Sequence, residues 1–110
     1  MRDIRKTEET QTQYYRMLSR LESDCKFYLG CGMRDAKYSL YWKNERAQIK
    51  EMLYIYGNLT LKPVWLDVEG ILRYAEQMGV SVRHASLLKA KDRVLRTWQR
   101  ILYWKELNGR

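Results

Sequence analysis

The chain has 110 residues, a formal net charge of +8 at neutral pH, nine tyrosines and four tryptophans. This length fits one domain over residues 1–110, and because no apolar run approaches the roughly 20 residues that cross a bilayer, we expect a cytoplasmic protein with no membrane partner. Two cysteines and one histidine are fewer than the ligands of a structural zinc site, so we expect no metal and no cofactor.

The positive charge is concentrated near the C-terminus. Residues 81–110 contain eight basic and two acidic side chains, a net charge of +6, whereas residues 1–80 contain 13 basic and 11 acidic side chains. Such an asymmetry predicts an acidic partner, with nucleic acid as the first candidate.

The first predicted helix follows residues 1–7, which we expect to be frayed. Thr7 or Thr10 is its candidate N-cap. One stripe of side chains three or four positions apart is predicted to face the core: Tyr14, Leu18, Leu21, Cys25 and Tyr28. Gly30 and Gly32 can adopt positive φ angles, so the helix is predicted to end just before them.

A loop is predicted over residues 30–43. Three apolar side chains in it alternate with more polar ones, which indicates a possible short β element: Tyr38, Leu40 and Trp42. Arg34 and Lys37 lie beside these aromatic residues, and that combination is typical of a surface that contacts a partner. The interpretation that we favour, however, is that these aromatic side chains fold inward and cap the helices.

Two shorter helices are predicted next. Asn44 is the N-cap of the first of them, which ends near Tyr56, and Asp67 is the N-cap of the second, which runs to Met78 and is closed by Gly79. Their apolar positions recur at helical spacing and are predicted to be buried: Ile49, Met52, Leu53, Tyr56, Val68, Ile71, Leu72, Ala75 and Met78.

The last predicted helix is the basic C-terminal helix over residues 81–107, and it starts near Ser81 or Ser86. One arc of it is apolar and is predicted to face the core: Leu87, Leu88, Val94, Leu95, Trp98, Ile101 and Leu102. His84 falls on the same arc, so it is predicted to lie in or beside the core rather than to catalyse a reaction. In total the pattern predicts a mainly all-α fold, a small bundle of about four helices.

The basic residues of this helix are predicted to point away from the core. We call them the basic stripe: Lys89, Arg93, Arg96 and Arg100. A merely solvated helix face usually interleaves acidic and basic residues, whereas here only Asp92 is near, although a solvated face remains the alternative. Phosphates would relieve the repulsion among four like charges, and Tyr103 or Trp104 could stack on an unpaired base.

Several short segments match a known family. They are Ser23-Asp24-Cys25, Tyr28-Leu29-Gly30 with Gly32 and Arg34, Ile49 with Met52, Lys62-Pro63, Trp65-Leu66 and Ile71. On these segments, residues 14–72 resemble a large polyvalent protein-associated domain of phages and conjugative elements. Members of that family usually carry polar residues, often Asn, at the positions of Cys31 and Met33. The basic last helix lies outside the resemblance.

The resemblance implies that the chain is a protein of a mobile genetic element and acts inside a bacterial host cell. Its size is similar to that of anti-CRISPR proteins. The resemblance therefore implies an inhibitor of host immunity that binds a Cas nuclease or its guide RNA through the basic stripe. The alternative is a nucleic-acid-binding accessory protein with no inhibitory role. We expect no enzyme, because no nucleophile or carboxylate lies at a diagnostic spacing from His84. A homodimer is one further alternative, because this small domain is rich in Tyr and Trp and such residues are enriched at protein interfaces.

Overall fold

The computed structural model describes the backbone of residues 4–108 and the side chains of residues 8–106. This part of the chain contains five helices and no strand: α1 (Ile4–Leu29), α2 (Ala36–Ser39), α3 (Glu45–Gly57), α4 (Val68–Gln77) and α5 (Ala85–Asn108). The predicted all-α bundle is confirmed, with five helices instead of four. None of the described helices is both long enough and apolar enough to cross a membrane.

The starts of α1 and α5 differ from the predictions. The backbone is already helical at Ile4, so neither Thr7 nor Thr10 caps α1. Of residues 1–7, for which fraying is predicted, residues 1–3 lie outside the described part of the chain and residues 4–7 have a helical backbone. α5 begins at Ala85, directly after His84, whose backbone carbonyl accepts a hydrogen bond from the Leu88 amide.

The predicted caps of the two middle helices are confirmed. The side chain of Asn44 accepts a hydrogen bond from the Ala47 amide at 2.9 Å, and that of Asp67 accepts one from the Gly70 amide at 2.7 Å. Each bond satisfies one of the amides that a helix start leaves unpaired. After α4, Gly79 adopts φ +77°, the left-handed conformation that closes the helix.

The core lies among α1, α3 and α4. Most of its fully buried members come from the faces that the sequence predicts, and they include Leu18, Leu21, Cys25, Ile49, Met52 and Ile71. The prediction missed Gln48, Ile55 and Leu59, which are fully buried, whereas the predicted Tyr14 and Leu53 are only partly buried. Cys25 Sγ lies 3.6 Å from Met52 Sδ. Burial, reinforced by the carboxylates of Asp24 and Glu22, raises the pKa of the Cys25 thiol to about 12. This cysteine is therefore a protonated packing residue and not a nucleophile.

The loop after α1 contains the short helix α2 where the sequence indicated a possible short β element. The Asp35 side chain accepts a hydrogen bond from the Lys37 amide at 3.2 Å and so caps α2. The β prediction is therefore wrong, because a local cap favours helix over an extended chain. The inward-folding interpretation of the aromatic residues is also wrong: Tyr38 is 87% exposed, and Tyr41 and Trp42 are exposed too.

The end of α1 is confirmed at Leu29, but the reason differs from the predicted one. Neither Gly30 nor Gly32 has a positive φ, whereas Met33 (φ 52°) and Arg34 (φ 61°) do. The chain thus turns through two residues with side chains. Gly32 is needed for a different reason, which is the close approach of α2 to the end of α1.

Replacing Met33 with asparagine should stabilise the protein by about 0.5 kcal/mol, because asparagine tolerates the left-handed conformation better than methionine does. Little packing is lost, since Met33 is 85% exposed. Chemical denaturation of wild type and Met33→Asn measures the difference in free energy of unfolding. Tyr38→Asn is the control, because Tyr38 is equally exposed but has no positive φ. A destabilised Met33→Asn would mean that the methionine side chain makes a stabilising contact.

Candidate functional site

The apolar arc of α5 faces away from the core, so its predicted burial is wrong. Only Leu88, near the helix start, packs partly against the core. The remaining six side chains are 41–67% exposed, and we call them the apolar face of α5: Leu87, Val94, Leu95, Trp98, Ile101 and Leu102.

Polar residues attach α5 to the body instead. Asp92, Arg96 and Gln99 lie four and three positions apart, which places them on one side of the helix. Arg96 and Gln99 contact the connector over residues 58–67, which has no regular secondary structure between α3 and α4, and Asp92 contacts the residues of α3 and α4 that flank it. Such a segment leaves backbone amides and carbonyls without helical partners, and buried backbone groups need partners. The side chains of α5 supply them.

Asp92 is the buried centre of this attachment and is only 6% exposed. Its carboxylate accepts hydrogen bonds from the Tyr56 hydroxyl at 2.5 Å and from the Val68 amide at 3.2 Å. Val68 is the first residue of α4, so the negative charge lies at the positive end of that helix. Burial and the Asp92 carboxylate raise the pKa of Tyr56, which keeps the hydroxyl protonated as a donor.

Arg96 completes the same cluster. Its Nε donates to the Tyr56 hydroxyl at 3.0 Å and to Asp92 at 3.3 Å. Its Nη2 donates to the backbone carbonyls of Pro63 and Leu66, each at 2.6 Å. The guanidinium therefore neutralises Asp92 and satisfies two connector carbonyls at once, a use of its several donors that no lysine could match.

Gln99 and Lys62 extend the attachment. The Gln99 amide bonds both backbone groups of Lys62, at 2.8 and 3.1 Å. The buried Lys62 ammonium donates to the carbonyls of Tyr56 and Leu59, at 2.8 and 2.7 Å, near the end of α3. Burial lowers the pKa of Lys62, while its position favours the charged form at a helix C-terminus.

The basic stripe is therefore smaller than predicted. Arg96 belongs to the interior of the molecule, so its predicted exposure is wrong. Lys89 is half-buried, while Arg93 and Arg100 are exposed. Within the described part of the chain, the ion pairs of α5 involve neither of these two arginines. The exposed cations that remain on this side of α5 are thus Arg93 and Arg100, with Lys89 at its edge.

The predicted aromatic neighbours of the stripe are accessible. Tyr103 and Trp104 are exposed, as are all described residues from Arg100 onward. The C-terminal turns of α5 therefore extend past the body of the bundle, and a flat ligand group could reach the Tyr103 ring.

The two predicted loop cations do not join this surface. Arg34 donates from Nη1 to the Gln77 backbone carbonyl at 2.8 Å and so ties the loop to the end of α4. Lys37 is exposed on α2. The prediction for His84 is wrong as well, because His84 is exposed with φ 59° at the start of α5.

One signal in the sequence could have identified the attachment. Asp92 is the acidic residue inside the basic run, and it precedes Arg96 by four positions, the spacing of a helical ion pair. An acidic residue so placed indicates that at least one arginine of the run is already paired.

Comparison with known proteins identifies one family. Residues 11–78 match the model of large polyvalent protein-associated domain 11. The match ends with the last turn of α4 and leaves α5 outside. No curated protein and no solved structure shows significant similarity to the chain. Since the match covers more than half of its residues, the chain belongs to the large polyvalent protein-associated domain 11 family.

Proposed function

We propose that the chain is an accessory protein of a mobile genetic element and that it acts by binding, not by catalysis. The family of residues 11–78 supports the first part, because its name ties it to large polyvalent proteins, which the resemblance above connects with phages and conjugative elements. The second part is supported by the chemistry of the site, where Arg93 and Arg100 can hold an anion but offer no nucleophile or base.

The specific activity that we propose is inhibition of host immunity in the bacterial cytoplasm, through a Cas nuclease or its guide RNA. The observation that carries this proposal is the exposure of Arg93 and Arg100, which lie two helical turns apart and have no ion pair within the described residues. A net charge of +8 rules out imitation of DNA. Arginines in this arrangement suit phosphates of RNA, and Tyr103 could stack on an unpaired base.

The test is a binding and cleavage experiment with a double charge reversal. We expect Arg93→Glu/Arg100→Glu to weaken binding to a guide RNA and to reduce the slope of log affinity against log salt by about 2, because each arginine that is replaced neutralises one phosphate. The same variant should restore DNA cleavage by a guide-loaded Cas nuclease that wild type inhibits. Binding is measured by fluorescence anisotropy over a range of salt concentrations.

Arg46→Glu/Lys50→Glu is the matched control, because both residues are exposed on α3 and the charge change is identical. If the control loses as much binding as the α5 variant, only net charge matters and the proposed site is wrong. Binding of any RNA or DNA with no effect on Cas cleavage would instead support the accessory role without inhibition.

A further inference from the structure

Three aromatic side chains are exposed on α2 and on the turn that follows it, and we call them the aromatic turn: Tyr38, Tyr41 and Trp42. Tyr38 is 87% exposed, Tyr41 47% and Trp42 43%. The centroids of the Tyr41 and Trp42 rings lie 5.3 Å apart, and the two ring planes meet at 71°. A group of exposed aromatic rings, unlike a single one, is typical of a binding surface.

The backbone that carries two of these rings is held from two sides. The Tyr41 amide donates a hydrogen bond to the Asp24 carboxylate of α1 at 3.0 Å, and the Trp42 amide donates one to the Gln48 side-chain carbonyl of α3 at 3.1 Å. Gln48 is fully buried, and its own side-chain amide donates to the Leu21 carbonyl at 3.2 Å. These bonds fix the backbone of the turn before a partner binds, which lowers the entropic cost of binding.

The charge available around the aromatic turn is positive. The acidic side chains near it are engaged within the protein, where each accepts a hydrogen bond: Asp24, Asp35 and Glu45. Asp24 is also paired with Arg20, whose guanidinium lies 5.3 Å from the centroid of the Tyr41 ring. The basic side chains of residues 35–46 are exposed and have no ion pair within the described part of the chain: Lys37, Lys43 and Arg46. These three cations therefore favour an anionic partner.

Rings and cations in this combination suit a single-stranded nucleic acid, because its bases stack on aromatic side chains while its phosphates contact the cations. The planes of the Tyr41 and Trp42 rings are closer to perpendicular than to parallel, so bases stacked on both rings would point in different directions. The parallel bases of a duplex do not allow this, whereas the bases of a single strand turn independently. We propose that the aromatic turn binds unpaired bases of a single-stranded nucleic acid.

This inference goes beyond the proposed function and does not depend on it. The proposed function uses Arg93, Arg100 and Tyr103 of α5, whereas the aromatic turn is held by α1 and α3. Binding of an oligonucleotide is measured without a nuclease, so a chain that fails to inhibit Cas cleavage would contradict the proposed function and leave this inference intact.

Fluorescence anisotropy of a labelled oligouridylate tests the aromatic turn. We expect Tyr41→Ala/Trp42→Ala to weaken binding about tenfold or more, the loss expected when one base no longer stacks. Tyr54→Ala/Trp65→Ala is the matched control, because it removes the same two kinds of ring, at exposures of 57% and 44%, from α3 and the connector. The control should bind like wild type, and circular dichroism checks that both variants are folded.

An abasic strand of the same length and charge separates stacking from electrostatic attraction. Wild type should bind it about tenfold more weakly than oligouridylate, because the phosphates remain but the bases are missing. In Tyr41→Ala/Trp42→Ala this preference for bases should be largely lost. Arg93→Glu/Arg100→Glu should instead weaken binding of both strands alike and keep the preference.

Three results would overturn the proposal. They are equal binding of the two strands by wild type, equal losses in Tyr41→Ala/Trp42→Ala and its control, and loss of the base preference in Tyr103→Ala alone, which would place the stacking on α5. If Tyr41→Ala/Trp42→Ala binds oligouridylate like wild type but no longer captures an RNase-treated Cas nuclease, the aromatic turn contacts a protein instead.

Discussion

Replacing Arg96 with alanine should lower the free energy of unfolding by about 3 kcal/mol, because removing one partner of a buried ion pair leaves the other charge uncompensated. The change leaves Asp92 buried without its cation and leaves the carbonyls of Pro63 and Leu66 without a donor. For a chain of this size, the loss corresponds to a fall in Tm of roughly 13 °C. Denaturant titration and calorimetry measure it.

Arg93→Ala is the matched control for this prediction. It removes the same side chain from the same helix three residues earlier, at an exposed position, so its effect should stay within about 0.5 kcal/mol. Asp92→Ala should destabilise about as much as Arg96→Ala, and the double variant should lose less than the two single losses added together, because both remove one cluster. Equal effects of Arg93→Ala and Arg96→Ala would show that α5 is not held by this cluster.

The attachment of α5 also explains how the family domain is extended. The matched residues end with α4, and the connector that α5 contacts lies inside the match. The polar side of α5 satisfies backbone groups of this connector, while its apolar face stays outside. The added helix therefore covers the domain with its polar side and presents a new apolar surface, which is the reverse of the usual amphipathic arrangement.

The features that could be predicted from the sequence depend on local signals. Asn44 and Asp67 cap helices through bonds to amides three residues away, and the stripe from Leu18 to Tyr28 follows from helical spacing alone. Such signals do not require knowledge of distant parts of the chain. This is why the bounds of α3 and α4 and most of the core agree with the structure.

The orientation of α5 could not be predicted in the same way. Periodicity identifies an apolar arc but does not show what lies against it. The contacts that decide the orientation join Arg96 to Pro63 and Leu66, about 30 residues earlier. They depend on which connector carbonyls lack partners, and no spacing rule reports that. The predicted binding site depended on this orientation. In the structure Arg93 and Arg100 are exposed as predicted, whereas Arg96 binds the connector and is not available to a ligand.

Replacing Gly32 with alanine should destabilise the protein by about 3 kcal/mol, because a side chain there has no room and overpacking is costly. A Cβ atom at this position would lie 2.1 Å from Ser39 Oγ and 2.8 Å from the Phe27 carbonyl oxygen. The serine side chain could rotate away, but the carbonyl belongs to the last turns of α1 and already accepts hydrogen bonds from the amides of Gly30 and Gly32. The turn between α1 and α2 must therefore open.

Two further variants make the Gly32 prediction specific. Gly57→Ala, at the end of α3, has nothing within 4 Å of its added Cβ, so it should be neutral or stabilising by up to about 1 kcal/mol, because alanine favours a helix over glycine. The double variant Gly32→Ala/Ser39→Ala should be little more stable than Gly32→Ala alone, since the Phe27 carbonyl oxygen still clashes with the added Cβ atom. Full recovery in the double variant would show that the hydroxyl group, and not the α1 backbone, requires glycine at position 32.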